Sequence, residues 1–257
     1  MENNKVDRGI AEDISILGSV NIVKGLYFEL TELVNVPGIK KTVDDLELHF
    51  DNSNDDELKA FIIKVSGSDI QDNTTAYKRA YRFTNFLTLK TGKFIFHKRP
   101  KEIVNGKIGQ IAKSTSSATV TNNLINLDIT NSALESLLND ESRLNQQLSH
   151  FSNGIKALEG SNFTEAIKEF YQVIEADKAS LSYLNKYKFL RDGLSHPELT
   201  KPNTINGLSN NFGSLSPKGR YVDIGDPNVQ IILEKEAKYL RDEVFSYLDN
   251  KLNIKTN

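Results

Sequence analysis

The segment with the most chemistry in it is Tyr187-Lys188-Phe189-Leu190-Arg191-Asp192-Gly193-Leu194-Ser195-His196-Pro197-Glu198. An imidazole, with an unperturbed pKa of ~6.5, moves protons near neutral pH. A guanidinium stays charged and grips two oxyanion oxygens at once. On an unbroken α-helix, at ~100° per residue, His196 is turned ~140° away from Arg191. The two groups meet only if the helix stops. Gly193 is expected to close it in the left-handed conformation, with Leu194 folding back onto Phe189. Pro197 keeps His196 out of the helical region. The imidazole then swings back towards the guanidinium. The plainer account is a helix C-cap, in which both groups simply face the negative end of the helix, worth up to ~1 kcal/mol.

These residues need a helical frame, and the C-terminal half supplies one. From residue 130 the apolar period is 3.6. Leu134, Leu137, Leu138, Leu144, Leu148, Phe151, Ile155 and Leu158 form one stripe, ended by Gly160. Ser161-Asn162 caps a second helix, with Phe163, Ala166, Ile167, Phe170, Val173 and Ile174 on one face. A third runs from about Lys178 through Leu190, and a last one starts at Asp226-Pro227 and runs through Leu248. This predicts an antiparallel four-helix bundle over residues 129–257. One connection, Lys201–Gly225, is rich in Asn, Gly, Ser and Pro and reads as a long loop, either an ordered lid or disordered.

Residues 1–128 read as a mixed, β-rich domain of unknown role. Gly25–Leu30 and Leu46–Phe50 alternate as half-buried strands do, and Ala60–Val65 is a short β-branched run. The acidic run Asp51–Glu57 reads as a turn; it lacks the glycine and the final Glu of a calcium loop. Residues 74–90 carry a helical stripe closed by Gly92. Phe94–Phe96 returns to strand, 113–123 is a polar loop or edge strand, and Leu124–Ile129 is a last strand. His97–Lys101 is a small basic strand end, and Gly106–Gly109 lacks the spacing of a phosphate loop. The expected class is therefore α+β.

Composition removes other functions. With 38% hydrophobic and 26% charged residues the chain is not disordered at large. It has no cysteine, and His49, His97, His150 and His196 share no ligand spacing, so no metal site is expected. No span is apolar enough for a membrane helix, and the polar N-terminus has no signal-peptide character, so a cytoplasmic protein without membrane attachment is expected. Lys plus Arg total 32 against 34 Asp plus Glu, which gives no global basic face for a duplex.

An arginine, a polar residue and then a histidine near the end of a bundle helix resembles the signature of the HEPN superfamily. Arg191 matches the arginine, Asp192 the polar position (more often Asn there) and His196 the histidine. Phe170–Glu175 is similar to a segment of bacterial members, and the likeness covers about residues 130–252. It implies a metal-independent endoribonuclease, without cofactor, in a toxin-antitoxin or antiviral-defence setting. The ribose 2′-hydroxyl attacks the adjacent phosphorus and leaves a cyclic phosphate. Arg191, His196 and Asp192 would be catalytic, Lys188, Tyr187 and Lys186 would contact RNA, and Glu175, paired with Arg191, and Tyr171 would support them. The likeness further implies a homodimer through the bundle, with an antitoxin or effector as a further partner. Two alternatives stand beside it: a catalytically inactive HEPN-like dimerisation or binding module, and a site that binds a nucleotide or phosphate without cleaving it.

Overall fold

Leu26, Phe28 and Leu30 are buried at alternate positions of β1 (Lys24–Asn35), which needs a sheet with a covered face. The computed structural model describes residues 24–36, 42–51, 54–65, 70–104, 107–108, 131–139, 143–175, 177, 182–196, 201–215 and 222–255. They fall into two compact units, one running to Asn139 apart from Gly92–Phe94, the other formed by those three residues and the chain from Asp140. The fold class is α+β. Among the described residues no helix is long and apolar enough to cross a membrane.

The first unit is an antiparallel sheet. Besides β1 it contains β2 (Thr42–Val43), β3 (Leu46–Asp51), β4 (Asn54–Lys64), β5 (Lys101–Val104) and β6 (Lys107–Ile108), in the order β2-β3-β4-β1-β5-β6. Asp44, at φ 55°, makes the turn between β2 and β3, where a short acidic side chain tolerates the left-handed region. Helix α1 (Ile70–Thr91) covers one face. Phe28 stacks on Phe61 at 5.1 Å, and Phe61 meets Phe83 of α1 edge-on at 4.9 Å. Thr88 returns its hydroxyl to the Thr84 carbonyl and accepts the Ile95 N–H, so a polar side chain at 0% exposure is satisfied. Gly92 closes α1 at φ 65°, as the sequence predicts.

Three expectations change here. The acidic run is not all turn, because residues 54–57 extend β4 and pair Asp51 with Asn54. Phe94–Phe96 forms no strand; only His97 bridges to Leu30, and the next strand is β5. The apolar stripe from Leu134 to Leu158 is not one helix. Its first part, α2 (Asn131–Asn139), belongs to the first unit, where Arg79 donates to Asn139 Oδ1 at 2.7 Å and Arg82 to the Leu138 carbonyl at 2.7 Å. The compact first unit thus extends past residue 128. Residues 113–123 and 124–129 lie outside the described residues.

Two buried histidines, His49 and His97, should make this unit acid-sensitive. Burial lowers His49 to about 4 and also lowers His97. A folded pKa below the unfolded value of ~6.5 means that the unfolded chain binds the proton more readily. Stability is therefore fully present above pH ~6.5 and is lost as pH falls towards 4. Glu47, raised by burial beside His49, acts with the opposite sign. Urea titrations at pH 7 and pH 4.5 should show the first unit weakened at the lower pH, and His49→Gln should flatten that dependence. An unchanged slope in the variant counts against the assignment.

The second unit is helical: α3 (Arg143–Glu159), α4 (Phe163–Glu175), α5 (Lys186–Ser195), α6 (Pro202–Asn211) and α7 (Pro227–Lys255). Helices α3, α4 and α7 pack on one another, α5 packs on α4, and α6 on α5. Phe151, Phe170, Leu240 and Val244 are at 0% exposure in its core. Asn162 Oδ1 accepts the Glu165 N–H and Asp226 Oδ1 the Asn228 N–H, so both expected N-caps form. Lys251 donates to Gln147 Oε1 and Asp177 Oδ2, while Gln147 donates to the Val173 carbonyl; this ties α3, α4 and α7 together. The third helix starts at Lys186, after a 3-10 turn at Ser182–Leu184. The stretch read as a 201–225 loop contains α6, so the unit has five α-helices among its described residues rather than four.

Candidate functional site

Helix α5 is anchored by Tyr187, Leu190 and Gly193, all buried, which leaves Lys188, Arg191 and Asp192 on its more open faces. Gly193 does not close the helix. It is absent from the glycines with positive φ, and α5 runs to Ser195. A Cβ on Gly193 would lie 2.7 Å from Leu208 Cδ1, so this glycine lets α5 and α6 approach closely. Phe189 lies over Gly207 of α6, where a Cβ would be 2.4 Å from the ring. The helix break comes at His196, which is extended (φ −110°, ψ 127°) and exposed, as the following proline predicts.

Arg191 is held on three sides. Its Nη2 donates to Glu175 Oε1 at 3.3 Å and its Nη1 to Glu175 Oε2 at 3.4 Å, joining α5 to α4. Its Nε lies 2.8 Å from Asp192 Oδ1 as an ion pair without hydrogen-bond alignment. Its guanidinium carbon lies 5.0 Å from the centre of the Tyr171 ring. Tyr171 is 1% exposed, and its hydroxyl finds no hydrogen-bond partner among the described residues. Burial, then the Glu175 carboxylate, raises the Tyr171 pKa above the ordinary value, so the phenol stays a proton-bearing donor at neutral pH. No hydrogen bond or ion pair joins Arg191 to His196 among the described residues. Glu175, Tyr171 and Asp192 are therefore brought together around Arg191, while His196 stands apart at the helix end.

Two residues expected to contact RNA are occupied elsewhere. Tyr187 is at 0% exposure and donates to Glu236 Oε2 at 2.6 Å; burial and that carboxylate push its pKa far up. Lys186 sits over the rings of Tyr187, Phe212 and Tyr239, at 4.9–5.5 Å, with Glu236 at 3.8 Å. This cation is consumed in locking α5 to α7. Lys188, by contrast, is exposed and lines a groove of about 580 Å³ between α5 and α6, together with Asp192, Lys201, Asn203, Asn206 and Asn210.

The α6 wall of this groove was not expected, although a signal for it exists. Pro202 stands at a first helical position, and Thr204, Leu208 and Phe212 follow at helical spacing. Among the described residues no group of three or more His, Asp or Glu gathers as a metal site. No family model, no curated protein and no solved structure matches this chain.

Proposed function

We propose that the second unit is a HEPN-like endoribonuclease that works as a homodimer, each copy contributing one Arg191 and one His196. The observation that carries this reading is a braced guanidinium on α5 with an exposed, extended histidine just past the C-terminal end of that helix, beside an open polar groove. A scissile phosphate takes over the two guanidinium N–H groups now donated to Glu175. An imidazole removes the proton of the ribose 2′-hydroxyl, and the oxygen attacks phosphorus. The bond from phosphorus to the 5′-oxygen breaks, and that oxygen takes a proton from a second imidazole. The products are a cyclic phosphate and a 5′-hydroxyl end. Each copy has one His196, which is why two copies are invoked.

The test uses full-length protein with a single-stranded RNA and with the same strand carrying one 2′-deoxyribose. The RNA should be cut to fragments ending in cyclic phosphate, and the strand should resist at the substituted position. Cleavage at the deoxyribose rules out attack by the 2′-oxygen.

One observation favours a second reading, a non-catalytic dimerisation or binding module. Arg191 already faces two carboxylates, those of Glu175 and Asp192. In that case the full chain dimerises and leaves the RNA intact.

A further inference from the structure

We propose that the groove between α5 and α6 seats one nucleotide of a single-stranded RNA, with its phosphate at the N-terminal end of α6 and its base on the asparagines further along. This rests on the ribonuclease reading above and names where its substrate strand lies.

Asn203, Asn206 and Asn210 are spaced three and four apart, so they line one stripe of α6. The stripe is ~10 Å long at 1.5 Å per residue, a length suited to one nucleotide. All three side chains are exposed, and none makes a hydrogen bond to a described residue. A carboxamide offers a donor and an acceptor side by side, the pattern that pairs with adenine N6–H and N7. At the start of α6, Lys201 occupies the N-cap position without a side-chain cap bond; its carbonyl takes the Thr204 and Ile205 N–H groups and Pro202 has none, which leaves the Asn203 N–H without a partner among the described residues at the positive end of the helix. Lys201 and Lys188 add two ammonium groups to the groove lining.

The groove has two closely packed helices for walls: Gly193 lets Leu208 in, and Gly207 lets Phe189 in, so α5 and α6 stand at contact distance with the asparagines along the α6 side. Asp192 belongs both to that wall and to the Arg191 cluster, so a nucleotide in the groove lies next to the arginine that would hold the neighbouring phosphate. Recognition of this kind suits an unstacked base whose edges are free, as in loops and single strands.

The test is fluorescence anisotropy with a labelled oligoadenylate of ~12 nucleotides, a length within ordinary single-strand site sizes. Binding is measured on the full chain carrying His196→Ala, so that no cleavage intervenes. Adding Asn206→Ala and Asn210→Ala together should weaken binding about tenfold or more, given ~1–3 kcal/mol for a good base contact. Both changes raise helix propensity on an exposed face, so α6 should persist, and circular dichroism checks this. Lys201→Ala should weaken binding less and flatten its salt dependence. With His196 intact, the asparagine pair should raise the RNA concentration needed for half-maximal cleavage.

Weakened binding by the asparagine pair, in a protein whose parent form cuts RNA, supports both proposals. Unchanged binding in a protein that cuts RNA overturns the groove and leaves the ribonuclease. Weakened binding in a protein that never cuts RNA leaves the groove as an RNA-binding site and overturns the ribonuclease. No binding by the parent chain overturns the groove.

Discussion

Replacing Gly154 with alanine should destabilise the second unit by about 1–3 kcal/mol, the range for overpacking a filled core. The opposite sign is the usual one, since alanine in a helix interior gains ~1 kcal/mol over glycine. Here a Cβ would stand 2.4, 2.5 and 2.9 Å from three ring carbons of Phe170. That ring cannot retreat, because Phe170 is at 0% exposure and Phe151 lies against it at 5.7 Å. Gly207→Ala meets the Phe189 ring at similar distance, but Phe189 is only half-buried and can turn outward, so its cost should be smaller. Gly160→Ala, whose Cβ would meet the Lys156 carbonyl oxygen at 3.5 Å, ordinary contact distance, should be nearly neutral. Urea midpoints should rank the variants in that order. A Gly154→Ala protein as stable as the parent would mean that α3 and α4 are not packed as described.

The sequence carried the helical frame wherever an apolar stripe was long and its ends were marked. Both expected N-caps, Asn162 and Asp226, are present, and Gly92 takes the left-handed turn assigned to it. It failed where tertiary packing outweighed local preference. Helix α6 is built from PNTINGLSNN, a run of poor helix formers, and is held by Leu208 against Gly193 and by Phe189 against Gly207. Gly193 serves by its lack of a side chain and not by backbone freedom, which its residue type alone does not reveal. The stripe across residues 134–158 has one periodicity but serves two cores, because Arg79 and Arg82 bind the end of α2 to the first unit.

The site was legible in part for the same reason. Residue types and spacing singled out Arg191, Asp192 and His196 as candidates, and the Glu175–Arg191 pair that the resemblance implied is present as an ion pair between α4 and α5. Sequence could not tell an exposed cation from an engaged one. Lys186 and Lys188 are two residues apart on α5, so they point to different sides. One enters a ring of aromatics closed by Phe212 and Tyr239, far along the chain, and the other reaches the groove. Tyr187 shows the same limit, since its buried bond to Glu236 spans 49 positions.

His196→Ala should cut the rate of RNA cleavage by about 10²–10⁴-fold, the usual worth of a proton-transferring side chain, without changing thermal stability. The stability half follows from the exposure of His196 and from the absence of any bond from it to a described residue. Arg191→Ala should lower the rate by a similar factor for a different reason, the loss of a preorganised donor to the phosphate. It should also lower stability, because Glu175 and Asp192 are left facing each other over the buried Tyr171 ring without their cation. Arg191→Lys separates the two effects. It keeps the charge between the carboxylates but not the planar fork that matches two phosphate oxygens. It should therefore recover most of the stability and little of the rate. Rates on a single-stranded RNA and thermal midpoints for the three variants decide the matter together: parent-like cleavage by His196→Ala removes the ribonuclease reading, and parent-like cleavage by Arg191→Lys reduces the arginine to a simple charge.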